Sequence, residues 1–191
     1  MSIKWKGKLN SDALEKINVT SYKKLNPQSI DYILVIIILS FPVYCSLNLL
    51  MCPYQGSFQN LIIGDVIGFI VLMPILLFHE YLHAITFSNS EDVTIWYRGF
   101  TFITYCTEER TPTKMIYTLL LPNLVITLPF MLISIYLYFF ISPSLILKIC
   151  GVVNTIIILG SISDLLRTIY IFRNKNEIHM IRVNDENLYY K

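Results

Sequence analysis

The stretch VIGFIVLMPILLFHEYLH, residues 66–83, joins an uncharged apolar run to the pattern His79-Glu80-Tyr81-Leu82-His83. On a helix, positions four apart share a face, so His79 and His83 can present their imidazole nitrogens to one Zn²⁺ ion. Glu80 stands beside them, where its carboxylate can take a proton from an attacking water. The pattern therefore predicts metal-assisted hydrolysis of a peptide bond, in a segment that is apolar enough to enter a membrane.

The use of histidine in this chain favours a functional role for the pair. The sequence contains three histidines, and two of them fall in this pattern. Ionisable side chains are costly inside a membrane, so those found there usually serve a function. The alternative is a purely structural role for the two imidazoles. The small number of histidines in the chain, two of three of which fall in this pattern, disfavours it.

The composition is typical of a membrane protein. Hydrophobic residues make up 54% of the 191 residues, charged residues make up 15%, and the mean hydropathy is +0.57, which excludes an ordinary soluble domain. About 20 apolar residues cross a hydrocarbon core of ~30 Å. Four such spans can be drawn, over residues 31–51, 62–88, 114–141 and 145–172, and Pro122 and Pro129 predict a kink in the third. The predicted fold is mainly α, a polytopic membrane protein with about four transmembrane helices.

The distribution of Lys and Arg predicts the orientation of these spans. Of the 15 basic residues, only Lys148 falls on the side opposite to the two termini and the loop between spans two and three. The excess of positive charge predicts that both termini are cytoplasmic. We therefore expect a cytoplasmic N-terminal segment over residues 1–29, with a short amphipathic helix capped by Ser11, a membrane domain over 30–175 and a cytoplasmic tail over 176–191. The expected partner is the lipid bilayer, and no nucleic acid is expected.

Asp164 is the candidate third ligand because of its depth in the membrane. Asp65, at the outer edge of span two, is separated from the midpoint of the two histidines by roughly 24 Å of helix. Lys148 and Asp164 are separated by the same number of residues on span four. The carboxylate therefore lies at about the depth of the imidazoles, and two histidines with one carboxylate form a standard set for hydrolytic zinc. The alternative is an ion pair of Asp164 with Arg167, three residues later on the same helical face.

Small residues predict close packing of span two on span four. Gly64 and Gly68 lie on span two, and Gly160-Ser161-Ile162-Ser163 precedes Asp164 on span four. Small side chains let the backbones of membrane helices approach one another closely. This packing would bring the candidate ligands together.

The loop between spans two and three predicts a short interfacial β-hairpin. Residues 93–105 are rich in β-branched and aromatic side chains, with Gly99 near the middle. A strand beside a zinc site can capture an unwound substrate by adding it as a further strand. The candidate substrate-contacting residues are Ile95, Tyr97, Phe100 and Phe102. A simple interfacial anchor of aromatic side chains is the alternative.

The four cysteines give no metal or redox motif. Their positions, at 45, 52, 106 and 150, contain no CxxC spacing. Cys52 and Cys150 would both lie toward the outer face, and whether they pair stays open.

Several short elements, taken in order, resemble one known family. They are His79-Glu80-Tyr81-Leu82-His83, Thr113-Lys114-Met115 with Pro122 at span three, Asn154 before Gly160-Ser161-Ile162-Ser163-Asp164, and Arg182-Val183-Asn184-Asp185. The chain resembles the putative zincin-peptidase family of small multi-pass bacterial membrane proteins, which is similar to site-2-type intramembrane metalloproteases.

The resemblance implies a bacterial plasma membrane protein in which His79, His83 and Asp164 hold Zn²⁺ and Glu80 is the base. It also implies a membrane-associated peptide or protein as substrate. In site-2-type enzymes an Asn accompanies the carboxylate ligand in a longer motif containing Pro. Here Asn154 lies ten residues before Asp164, so it is a possible accessory residue or a buried Asn that bridges helices.

Three classes of function are compatible with these patterns. The first is a zinc-dependent membrane endopeptidase that acts near the cytoplasmic face. The second is a scaffold, with zinc or without metal, that acts through a partner protein, which the intact Glu80 disfavours. The third, a haem or other metal protein with paired imidazoles, is the least favoured because imidazoles four apart on one helix cannot ligate opposite faces of one haem. The sequence predicts neither the substrate nor the oligomeric state.

Overall fold

The computed structural model describes residues 3–8, 20–51, 58–87, 93–99, 101–140, 145–184 and 187–191. The helix expected after Ser11, Cys52 with its possible pairing, and the candidate substrate contact Phe100 lie outside the described residues.

Helices make up most of the structure. They are α1 (Ser29–Met51), α2 (Phe58–Ile85), α3 (Pro112–Pro122), a π-helix (Asn123–Thr127), α4 (Leu128–Phe140), α5 (Leu145–Gly160) and α6 (Ile162–Arg173). Among the described residues, four helical stretches are long and apolar enough to cross a membrane: Ser29–Met51, Ile62–Ile85, Pro112–Phe140 and Leu145–Arg173. The predicted fold class is confirmed.

The third span is continuous but irregular. It runs from α3 through the π-helix into α4, with Pro122 before the π-helix and Pro129 after it. A proline within a helix removes one N–H and displaces the carbonyl four residues earlier, so the regular ladder cannot pass unchanged. The π-helix lies between these two prolines, where the sequence predicts a kink.

Two small sheets lie at the end of the bundle where both termini are found. The first has the order β1-β3-β4 and the second β2-β6-β5; the strands are β1 (Ile3–Lys8), β2 (Lys23–Lys24), β3 (Val93–Arg98), β4 (Thr101–Tyr105), β5 (Ile181–Asn184) and β6 (Asn187–Tyr190). The hairpin predicted between spans two and three is β3 and β4, with Gly99 at a φ of 62° in its turn. The sequence analysis missed the parallel pairing of β1 with β3 and the C-terminal hairpin β5–β6.

Glycines allow α5 to pack closely against α1 and α2. A Cβ on Gly68 would lie 2.9 Å from Cβ of Val152, and one on Gly64 would lie 2.9 Å from Leu145, so the predicted contact of span two with span four is present. A Cβ on Gly151 would lie 2.5 Å from the backbone nitrogen of Leu50, on α1. The sequence analysis also expected Gly160 to allow close helix packing. This expectation is wrong, because a Cβ at Gly160 would meet nothing within 4 Å.

Ion pairs join the helix ends. Lys148 Nζ lies 3.5 Å from Asp65 Oδ1, between α5 and α2. At the other end of the bundle, Arg173 Nη1 lies 2.6 Å from Oδ1 of the fully buried Asp31, between α6 and α1. These pairs hold the helices in register at both ends of the bundle.

A cluster of polar and charged side chains around Glu109 connects the C-terminal hairpin β5–β6 to neighbouring segments. It lies at the end of the bundle that carries the two sheets. Arg182 Nη2 and Lys191 Nζ lie 3.4 and 3.5 Å from Glu109 Oε1, and the Tyr22 hydroxyl donates a hydrogen bond to the same oxygen. The hydrogen bond from Tyr22, together with the two cations, lowers the pKa of Glu109 below its usual value.

Many of the large exposed side chains of the helices are apolar. On α1, Ile36 and Ile37 are each 65% exposed, and Ile70 on α2 is also 65% exposed. Such a belt would be an aggregation surface in water, but it is the expected exterior of a helix bundle in lipid.

Replacing Gly151 with Ala is expected to destabilise the bundle, because the new Cβ would clash with the backbone of α1. The expected loss is about 1–3 kcal/mol, as for overpacked cores, measured as a lower midpoint of thermal unfolding in detergent. Gly160→Ala is the matched control, since its Cβ has open space. Equal midpoints for the two variants would contradict the observed packing of α1 on α5.

Candidate metal centre

His79, His83 and Asp164 converge on one point between α2 and α6. His79 Nε2 and His83 Nε2 lie 3.2 Å apart, and each lies 3.2 Å from Asp164 Oδ2. All three side chains are largely buried, with exposures of 14%, 10% and 8%. The structure thus brings together the three side chains that the sequence analysis selected as ligands.

The separations fit a zinc ion. Bonds of about 2.0–2.2 Å to N and O ligands in a tetrahedron imply ligand atoms roughly 3.3–3.6 Å apart, close to the observed 3.2 Å triangle. His83 Nδ1 donates to the Thr118 carbonyl at 2.9 Å, which leaves the lone pair of Nε2 in the neutral imidazole available for a metal ion.

Glu80 is held by strand β4. The backbone N–H of Thr104 donates to Glu80 Oε2 at 2.8 Å, and the Thr104 hydroxyl donates to the Glu80 carbonyl at 2.7 Å. One potential ligand atom from each of His79, Glu80 and His83 lies within 4.8 Å of the other two. The carboxylate of Glu80 therefore stands beside the triangle with its orientation fixed by the sheet.

A proline leaves the carbonyl that orients His83 without a hydrogen-bond donor from its own helix. Thr118 lies four residues before Pro122, which has no N–H to complete the helical hydrogen bond. The Thr118 carbonyl accepts the Nδ1–H of His83 instead. Histidines that bind metal usually donate their other ring nitrogen in this way, which fixes the tautomer and the ring orientation.

Arg110 supports the same region and was missed by the sequence analysis, which used it only as a charge. Its guanidinium is buried, donates to the Thr118 hydroxyl at 2.6 Å and to the Thr86 carbonyl, and lies 3.9 Å from the centre of the Phe87 ring. Burial lowers the pKa of Arg110 from its ordinary value. Its side chain joins the end of α2 to α3, and its backbone pairs with Ile181 of β5.

Two cavities meet at the site. One of about 250 Å³ is bounded by the three candidate ligands, by Arg167 and by Val183 and Leu188 of the C-terminal hairpin. The other, of about 240 Å³, extends between α2, β4 and α5. His79, Glu80, Phe102, Gly160 and Ser163 line both cavities.

The remaining candidates are placed differently from one another. Of the described strand residues, Phe102 lines both cavities, whereas Ile95 is buried against Ala84 and Phe87 and Tyr97 is partly exposed. Asn154 is fully buried in α5 and lines neither cavity, and its side-chain atoms have no hydrogen-bond partner among the described residues. Its accessory role stays a prediction without support from this placement.

The comparison with protein families decides the classification. The sequence model of the putative zincin peptidase family matches residues 69–179, which is 111 of the 191 residues. The chain belongs to this family. The family match covers His79, Glu80, His83 and Asp164 together with Arg110 and Pro122, whereas β1 and the hairpin β5–β6 lie outside it. No curated protein and no solved structure matches the chain.

Removal of a proposed ligand is expected to abolish zinc binding. The wild type, purified in detergent, should hold about one zinc ion per chain, and His83→Ala and Asp164→Ala should hold close to none, because two remaining ligands bind too weakly. Glu80→Gln should keep its zinc. Elemental analysis gives the zinc content, and Glu177→Gln, at an exposed position that lines neither cavity, is the control for loss of a carboxylate. Full zinc in Asp164→Ala would refute the third ligand.

Pro122→Ala is expected to strengthen α3 and weaken zinc binding. The restored N–H competes with His83 for the Thr118 carbonyl, and changes beside a metal ligand typically cost 10–100-fold in affinity. We expect a loss of about 10-fold, measured by competition with a chelator, without a fall in the unfolding midpoint of the zinc-free protein. Pro129→Ala, on the exposed side of the same span, should leave the affinity unchanged. A parallel fall in stability and affinity would point to general damage instead.

Proposed function

We propose that this chain is a zinc-dependent membrane endopeptidase that hydrolyses a membrane-associated peptide or protein near the cytoplasmic face. The observation that carries the proposal is the triangle of His79 Nε2, His83 Nε2 and Asp164 Oδ2, with the carboxylate of Glu80 beside it. Three protein ligands leave a fourth position open, which distinguishes a hydrolytic zinc site from a closed structural one.

The side chains divide the chemistry among them. Zinc, when bound, supplies a Lewis acid that activates water near neutral pH and polarises the scissile carbonyl. Glu80 takes up a proton from the attacking water and returns it to the amine nitrogen as the C–N bond breaks. The hydrogen bond from the Thr104 N–H holds Oε2 of Glu80, which keeps its carboxylate in position for both transfers.

The edge of β4 that faces away from β3 is suited to hold the substrate at Phe102 as an added strand. Along an antiparallel strand, the backbone N–H and C=O groups of successive residues point alternately toward the partner strand and away from it. Since the Thr104 N–H points away from β3 and toward Glu80, the backbone groups of Phe102, two residues earlier, lie on the same edge. Phe102 lines both cavities, so a substrate paired along this edge passes the candidate ligands.

The proposed orientation places both termini in the cytoplasm. The described residues contain four candidate spans, an even number, and β1 and β2 pair with β3 and β6. Both termini therefore lie at one end of the bundle together with most of the positive charge. In a cysteine-free background, a cysteine at Lys191 should react with a membrane-impermeant thiol reagent only after the cells are permeabilised. One at Met51 should react in intact cells, and the reverse pattern would invert the proposed topology.

Hydrolysis is tested directly with unfolded β-casein in detergent micelles, with cleavage products identified by mass spectrometry. The zinc-loaded wild type should cleave it, and Glu80→Gln should lower the rate at least 10²-fold while it keeps zinc, because general acid–base catalysis contributes about 10²–10⁴-fold. A chelator should abolish cleavage, and added zinc should restore it. Equal rates in the wild type and Glu80→Gln would favour a zinc-binding scaffold that acts through a partner protein.

A further inference from the structure

The second cavity has apolar walls beside the proposed catalytic groups. Its volume is about 240 Å³, and His79 and Glu80 form part of its lining. The apolar walls come from four elements, α2, β4, the π-helix and α5, and consist of Leu76, Phe102, Ile126 and Ile157. Apart from His79 and Glu80, the described residues that line it carry no charge.

Gly160 lines this cavity without a side chain. It is exposed and ends α5, and a Cβ built on it meets nothing within 4 Å, whereas those on Gly64, Gly68 and Gly151 would meet neighbouring atoms at 2.5–2.9 Å. Helix packing therefore does not require glycine at this position. The absent side chain leaves space between the end of α5 and Phe102, where the two cavities meet.

We propose that the second cavity is a specificity subsite for one large apolar side chain, such as that of Leu or Phe, next to the scissile bond. The proposal rests on the proposed peptidase function. Burial of such a side chain is favourable because it removes apolar surface from water. A carboxylate side chain would lose its hydration against Leu76, Ile126 and Ile157 and would meet the carboxylate of Glu80. The subsite therefore selects an apolar segment, of the kind found within or beside a membrane.

The other cavity is less suited to this selection. It contains Asp164 and Arg167 and is bounded by the C-terminal hairpin through Val183 and Leu188. The backbone of a substrate on the β4 edge would pass between the two cavities at Phe102. The side chain that enters the apolar cavity then decides which bond lies beside Glu80.

The test uses synthetic peptides that are identical except for Ala, Leu, Phe or Asp at one central position. The zinc-loaded wild type in detergent micelles should cleave next to Leu or Phe with a kcat/KM about 10–200-fold above that for Ala, the range that apolar pockets achieve. The Asp peptide should be the poorest substrate. Cleavage positions and rates are read by mass spectrometry.

Two substitutions should change this preference in opposite directions. Gly160→Leu adds a large side chain at the wall of the cavity and should lower kcat/KM for Leu and Phe at least 10-fold more than it lowers the value for Ala. Leu76→Ala enlarges the cavity and should raise the ratio of Phe to Leu. Leu159→Phe is the control, since residue 159 is exposed on the helix exterior and lines neither cavity, and should keep the wild-type profile.

The outcomes separate the subsite from the peptidase itself. Cleavage that depends on Glu80 but shows the same side-chain preference in the wild type, Gly160→Leu and Leu76→Ala overturns the subsite and leaves the peptidase intact. If Gly160→Leu loses all activity, an unchanged ratio of Phe to Leu in Leu76→Ala overturns the subsite, and a raised ratio supports it. No Glu80-dependent cleavage of any peptide or of β-casein overturns the proposed function and the subsite with it.

Discussion

The register of α2 against α5 and α6 is the constraint on which the rest of the structure depends. At one end of the bundle, the Asp65–Lys148 ion pair places these two residues of spans two and four at the same depth. Equal lengths of chain then lead from Asp65 to the midpoint of the histidines and from Lys148 to Asp164, and the ligand atoms meet at 3.2 Å. Because the rise per residue is the same in every α-helix, equal lengths from a common start give equal depth. Gly64 and Gly68 supply the close approach that this match requires.

Backbone groups complete the site. The orientation of His83 depends on the Thr118 carbonyl, which Pro122 leaves without a helical donor, and the orientation of Glu80 depends on the N–H of Thr104. These groups lie on α3 and β4, which both contact α2. Arg110 ties the turn after His83 to α3 through its hydrogen bonds to Thr86 and Thr118. An irregular helix can therefore hold His83 in place, and a strand edge can hold Glu80 in place, with few buried side-chain charges.

The spacing of a few residues predicts the candidate site well. His79, Glu80 and His83 follow from one helical turn, and Asp164 follows from depth, because helix geometry is local and regular. The hairpin β3–β4 follows from β-branched and aromatic residues around Gly99. The pairing of β1 with β3 and of β2 with β6 joins distant segments, and no local pattern encodes it. The role of Thr118 depends on its backbone carbonyl, and every residue has one, so the sequence does not single it out. The sequence suggests that Gly160 allows helix packing, and only its surroundings in the structure show otherwise.

The pairing of β2 with β6 also has a consequence for biosynthesis. Lys24 pairs with Tyr189, 165 residues later in the chain, so the second sheet can close only after β6 has been synthesised. The four spans and all four candidate site residues are made earlier. The wall that Val183 and Leu188 give to the first cavity is added after them. The four candidate site residues are therefore made while one side of the first cavity is still open, and synthesis of the hairpin β5–β6 supplies the wall that bounds it.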